Sequence, residues 1–136
     1  MKYLTGIHAL NLECSLETSG DWHMSGLKWE KLTWADTNNM FFKDYGITLG
    51  VPIPEHFGPY PAANHIRALL DLLEWGNFAV AQGMNDDYIC NAKYDMEVFQ
   101  KVWMMRNLPN WKQIDEFMGK EYRMKWVRFK QRIERE

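Results

Sequence analysis

The stretch VPIPEHFGPYPAANHIRALLDLLEW, residues 51 to 75, changes character in its middle. Its first eleven residues hold four prolines and a glycine, a composition that interrupts strand pairing and helices alike. Its second half sets Ile66, Leu69, Leu70 and Leu73 at steps of three and four, the spacing of one helix face. Pro61 suits a first helical turn and Gly76 a stop. Upstream the apolar residues recur at every second position instead. This switch of period near residue 60 predicts an α+β fold, in which a small N-terminal antiparallel sheet of about three strands packs against three or four C-terminal helices.

The three expected strands are KYLTGIHALNLE (2–13), GLKWEKLTW (26–34) and FFKDYGITLGV (41–51), with ADTNN (35–39) supplying turn chemistry between the last two. Downstream, NFAVAQG (77–83) reads as a short helix and Lys93 to Arg106 as a longer one burying Tyr94, Val98, Val102 and Met105. One long helix is expected from Asn110 to the C-terminus, because Trp111, Ile114, Met118, Tyr122, Trp126, Phe129 and Ile133 recur at three- or four-residue steps.

At 136 residues and 46% apolar content the chain is read as a single domain, 1–136, able to bury its own core. The seven Trp serve either that core or an interface. Cys14 and Cys90 form no CxxC pair and no dense framework, which fits a reducing compartment. No run approaches 18 apolar residues, and His8, Asn11 and Glu13 interrupt any N-terminal signal core, so a cytoplasmic protein with no membrane partner is expected. The net charge is −2, unevenly spread: residues 119–136 hold seven Lys or Arg against three Glu, a local +4 that leaves −6 on the rest. That basic amphipathic end would either solvate a helix face and complement its macrodipole, or meet an acidic protein surface or the phosphates of a nucleic acid.

The most polar candidate site is SGDWHMSG, residues 19–26. If strands 1 and 2 pair as a hairpin, His8 approaches His23, and Asp21 stands ready to orient one imidazole for acid and base work near neutral pH. The competing reading is an Asx-type turn with His23 bonded to backbone. The same groups are ordinary zinc or manganese ligands, but the chain has no HExxH, Walker loop, GxSxG or paired CxxC, so neither a metal nor a cofactor is assigned. Cys14 is a thiol with His8 or His23 as conceivable base, or else a buried structural residue. His65, near a helix start, reads as a capping or surface residue.

Two functions follow. The first is an interaction protein that grips a protein partner through Trp22, Trp126, Arg123, Arg128 and Lys130, motivated by abundant aromatic anchors and the basic helix. The alternative is a small enzyme acting on a phosphate-containing substrate, RNA or a nucleotide, with His8 and His23 as acid and base, Asp21 orienting one of them, and the basic helix holding phosphate.

YLTGIHALNLECSLETSGDWH (3–23), followed by Trp29 and FKDYGI (42–47), resembles the start of a family of small bacterial proteins encoded beside nucleotidyltransferase-type toxin genes and other mobile or defence loci. The resemblance covers mainly residues 3–47. It implies a bacterial accessory or toxin–antitoxin-related protein and supplies no catalytic residues.

Overall fold

In the computed structural model, which describes residues 1–18, 20 and 27–135, the chain is α+β, with the sheet drawn from the N-terminal half and the main helices from the C-terminal half. The strands are β1 (Lys2–Leu4), β2 (Trp34–Asp36), β3 (Ile47–Pro52) and β4 (Pro59–Ala63), and they lie in the order β2-β1-β4-β3. β1 pairs antiparallel with β2 and parallel with β4, with Leu4 opposite Ala62, while β3 and β4 run antiparallel. The sheet is therefore mixed and has four strands, where three antiparallel ones were expected. The added strand is β4, hidden in the Pro-rich stretch. Its prolines are tolerated because Pro59 sits at the strand end opposite Pro52, and Pro61 falls opposite the register irregularity between Thr48 and Val51 of β3.

The first expected strand is only three residues long. After Thr5 the chain turns at Gly6 into a five-residue helix, α1 (Gly6–Leu10). Gly6 has φ 61°, and a Cβ there would stand 2.9 Å from the Thr33 Cγ2, so glycine is what allows the turn to press against the neighbouring segment. The second expected strand shifts to β2, with residues 27–33 irregular, although the Thr5 N–H still donates to the Thr33 carbonyl at 2.9 Å.

The helices are α2 (His65–Trp75), α3 (Phe78–Ala81), α4 (Asp95–Met104), α5 (Trp111–Tyr122) and α6 (Met124–Glu134). α2 begins four residues after Pro61, because the residues around Pro61 are held extended in β4. Asn64 caps it, its side chain accepting the Arg67 N–H at 2.9 Å, and Gly76 ends it at φ 76°. Nine consecutive residues of α2, His65 to Leu73, are buried, which makes it the central helix of the core.

The expected C-terminal helix breaks at Arg123, which takes φ 54° and ψ −125° and closes α5 by donating its N–H to the Gly119 carbonyl at 2.9 Å. The break turns α6 back so that Trp126 and Phe129 pack on Phe99 of α4, with ring centroids 5.5 and 5.4 Å away. The apolar stripe is core on both sides of the break: Ile114, Met118, Tyr122, Trp126 and Phe129 are all buried. Among the described indoles only Trp126 is fully enclosed; Trp75 is exposed and the remainder are half-buried. No helix among the described residues is long and apolar enough to cross a membrane.

Candidate functional site

Asp21, Trp22 and His23, and with them the expected approach of His23 to His8, lie outside the described residues. His8 itself is buried in α1, with its Nε2–H donating to the Lys28 carbonyl at 2.8 Å and its Nδ1 meeting the Thr33 hydroxyl at 2.9 Å. Both ring nitrogens are spent on holding the irregular segment 27–33 against α1. This is the work of a structural histidine, and the edge of Trp29 covers it at 5.2 Å.

The basic-helix residues separate into three situations. Trp126 lies in the core rather than on a contact surface, its Nε1–H donating to Asp115 at 2.7 Å. Lys130 ion-pairs with the same carboxylate at 2.8 Å. Arg123 and Arg128 are exposed. Arg128 lines a groove of about 500 Å³ between α4 and α6, together with Lys125, Arg132 and Arg135, over a floor that includes Met96 and Phe99. Lys125 is held by Asp95 at 3.3 Å, and the three arginines form no ion pair among the described residues.

The cluster that the sequence did not single out is Cys14, Thr18 and His65. His65 is the first residue of α2, placed by the Asn64 cap, and is fully buried rather than a capping or surface residue. Its Nε2–H donates to the Leu12 carbonyl at 2.6 Å, and its Nδ1 faces the Thr18 hydroxyl at 2.6 Å and the Tyr88 carbonyl at 3.2 Å. A carbonyl oxygen can only accept, so a ring with a carbonyl at each nitrogen favours the doubly protonated imidazolium. The Thr18 hydroxyl in turn lies 3.3 Å from the Cys14 Sγ. A continuous path therefore runs from the ring Nδ1 through the Thr18 hydroxyl to the Cys14 sulfur, an order of groups that suits an imidazolium at one end and a thiolate at the other.

The electrostatics follow this geometry. Partial burial pushes the Cys14 thiol up, but hydrogen bonding from His65 and Thr18 and the charge of His65 outweigh it and bring the group down to about 6. Burial by itself would lower His65, yet the Cys14 thiolate and the Leu12 and Tyr88 carbonyls hold it above the ordinary imidazole range. Each group favours the charged form of the other, so the two titrate as a pair.

Cys14 also lines a cleft of about 370 Å³, whose walls come from residues 12–15, from Thr48 to Pro52 around the β3 irregularity, and from Ala62 and Ala63 of β4. Glu13, Ser15 and Thr48 supply the polar groups, and Leu12, Leu49, Val51 and the two alanines the apolar ones. The sequence carries no signal for this arrangement, because Cys14, Thr18 and His65 are brought together by the fold across 51 residues. Among the described residues no group of three or more His, Cys, Asp or Glu side chains is placed to hold a metal ion. No family model, curated protein or solved structure matches this chain.

Proposed function

We propose that the chain acts through Cys14, as a thiolate nucleophile that forms a covalent bond with a small electrophile bound in the cleft beside it. The observation that carries this reading is the Cys14–Thr18–His65 path ending at the cleft wall: a nucleophile, a hydroxyl bridge and a buried cation in hydrogen-bonding sequence. The phosphate-substrate reading draws less support, since His8 has both nitrogens engaged by protein groups. The test is site-resolved alkylation with iodoacetamide between pH 5 and 9. Cys14 should react with a half-maximal rate near pH 6 and a plateau above pH 7. A rate still climbing at pH 8.5 sinks the reading.

A second reading rests on a different observation, the groove between α4 and α6. Three arginines with no ion pair among the described residues, over apolar lining residues, suit an acidic amphipathic segment of a protein partner, such as one encoded in the same toxin–antitoxin or defence locus, with the chain as a cytoplasmic accessory protein. Arg128→Glu should weaken co-purification of such a partner about tenfold or more and leave the fold intact. A salt-dependent gain of binding to RNA in place of protein would favour the nucleic-acid alternative.

A further inference from the structure

We infer that Cys14 is a site of reversible thiol–disulfide exchange, at which a small disulfide is held in the cleft and captured as a mixed disulfide. The inference rests on the reading of Cys14 as a nucleophile and adds the class of electrophile, which the surroundings of His65 restrict.

In the usual thiol–imidazole pair the ring activates the sulfur and then protonates the departing group. His65 is not built for the second task. It is fully buried, its Nε2–H is held by the Leu12 carbonyl at 2.6 Å, and its Nδ1 is enclosed by Thr18 and Tyr88. To reach a leaving group the ring would have to abandon both carbonyls in the interior. It therefore serves as a fixed cation that stabilises the thiolate and delivers no proton to substrate. Amines and alkoxides, which must be protonated as they depart, are poor substrates for such a site. A thiolate departs without a proton.

Two common electrophiles expel thiolates. Attack on a thioester places negative charge on the carbonyl oxygen and forms a tetrahedral adduct that expels the less basic sulfur first, so a low-pKa attacking thiolate is returned in preference to a more basic alkanethiolate and gains little there. Attack on a disulfide proceeds in line at sulfur and develops no oxyanion, so a stabilised thiolate and room for the approach suffice. The cleft gives that room, with apolar walls at Leu12, Val51 and Ala62 and the hydroxyls of Ser15 and Thr48 for a polar substituent. In the step, the Cys14 Sγ lone pair forms a new S–S bond to one sulfur of R–S–S–R. The original S–S bond breaks, and its electron pair leaves with RS⁻. Cys14 is oxidised, the departing sulfur is reduced, and no proton moves. Excess thiol reverses the exchange.

The advantage depends on pH in a way that identifies it. At pH 6 a thiol titrating at about 6 is half ionised, whereas an ordinary thiol near 8.5 has well under 1% thiolate. The lower basicity costs roughly tenfold in intrinsic nucleophilicity for a Brønsted slope near 0.45. The net gain is roughly tenfold at pH 6, shrinking to about twofold at pH 7.

The experiment treats the full chain with cystamine, iodoacetamide and S-ethyl thioacetate in parallel at pH 6 and 7, and maps each adduct by peptide mass. The reference is Cys14 in the urea-unfolded chain at the same pH. Expected are a cystamine mixed disulfide on native Cys14 formed roughly tenfold faster than on unfolded Cys14 at pH 6, its removal by dithiothreitol, and no comparable gain with the thioester. If iodoacetamide shows the native advantage and cystamine does not, the disulfide inference falls while the nucleophile stands. A thioester gain equal to the disulfide gain also overturns it. If no reagent distinguishes native from unfolded Cys14, both the inference and the reading beneath it fall.

Discussion

Two polar clusters hang from the first turns of α2, and they have opposite designs. Arg67 and Asp71, four residues apart on one side of the helix, form an ion pair of 2.8 Å with both side chains fully buried. Tyr3 and Thr5 donate to the Asp71 carboxylate at 2.6 and 2.7 Å, and Arg67 spends its other donors on Tyr3 and on the Lys43 and Tyr45 carbonyls. Every charge is answered by protein. His65, two residues before Arg67, is turned by about 200° around the helix axis and so faces the other way. There the path of hydrogen bonds ends on the sulfur of half-buried Cys14, which lines a cleft. Burial and polar partners alone do not mark a reactive site. A closed network fixes the fold, tying α2 to β1 and to the turn before β3, whereas an open-ended one holds a charge where a ligand can reach it.

The comparison predicts that stability and reactivity divide between the clusters. The largest effect should come from Asp71→Ala, which strands the Arg67 guanidinium in the core at a cost of about 3–5 kcal/mol; a urea-unfolding loss below about 1 kcal/mol would remove the closed network from the account. Tyr3→Phe leaves one donor of Arg67 and one acceptor site of Asp71 short, and should cost about 1–3 kcal/mol by the same measurement. Asn64→Ala removes the cap that precedes both clusters and should cost about 1 kcal/mol. Being common to both, it should also slow Cys14 alkylation at pH 6, and an unchanged rate would mean that the cap does not set the ring of His65.

The smallest stability effect belongs to the open cluster. Cys14→Ser should abolish alkylation at position 14 while changing stability by under about 1 kcal/mol near pH 6. Its pH dependence has a definite sign. The folded thiol titrates at about 6, below the ordinary thiol range, so its charged form stabilises the fold fully above that range, and the contribution is lost as pH falls through 6. The deficit of Cys14→Ser should thus be greatest near pH 9 and vanish below pH 6, which paired urea midpoints at pH 5.5 and 9 will show. Thr18→Val keeps the sulfur and removes the hydroxyl bridge, and should shift the alkylation midpoint upward with little change in unfolding.

Much of the fold was legible because it rests on local pattern. The helical face Ile66, Leu69, Leu70 and Leu73 and the stripe from Ile114 to Phe129 reach the core as their spacing requires, and Gly76 ends α2 as expected. The errors fell where short-range pattern and packing disagree. KYLTGIHALNLE alternates well enough for one strand, yet Gly6 turns it into α1, and PYPAA pairs as β4 despite its prolines because β1 and β3 flank it. The C-terminal periodicity runs unbroken through Arg123, and nothing in it announces the turn that brings Trp126 and Phe129 onto Phe99.

The sequence by itself determined the α+β class and the apolar faces of α2 and of the C-terminal stripe, since hydrophobic period is written residue by residue and needs no partner to be read. Tertiary structure alone decided which polar groups matter. Cys14, Thr18 and His65 have ordinary neighbours in sequence and acquire their properties from carbonyls of Leu12 and Tyr88 at 2.6 and 3.2 Å from one ring. The charge state of a group depends on what surrounds it in space, and for this thiol and imidazole those surroundings exist only after the N-terminal segment, the start of α2 and the loop at Tyr88 have been folded together.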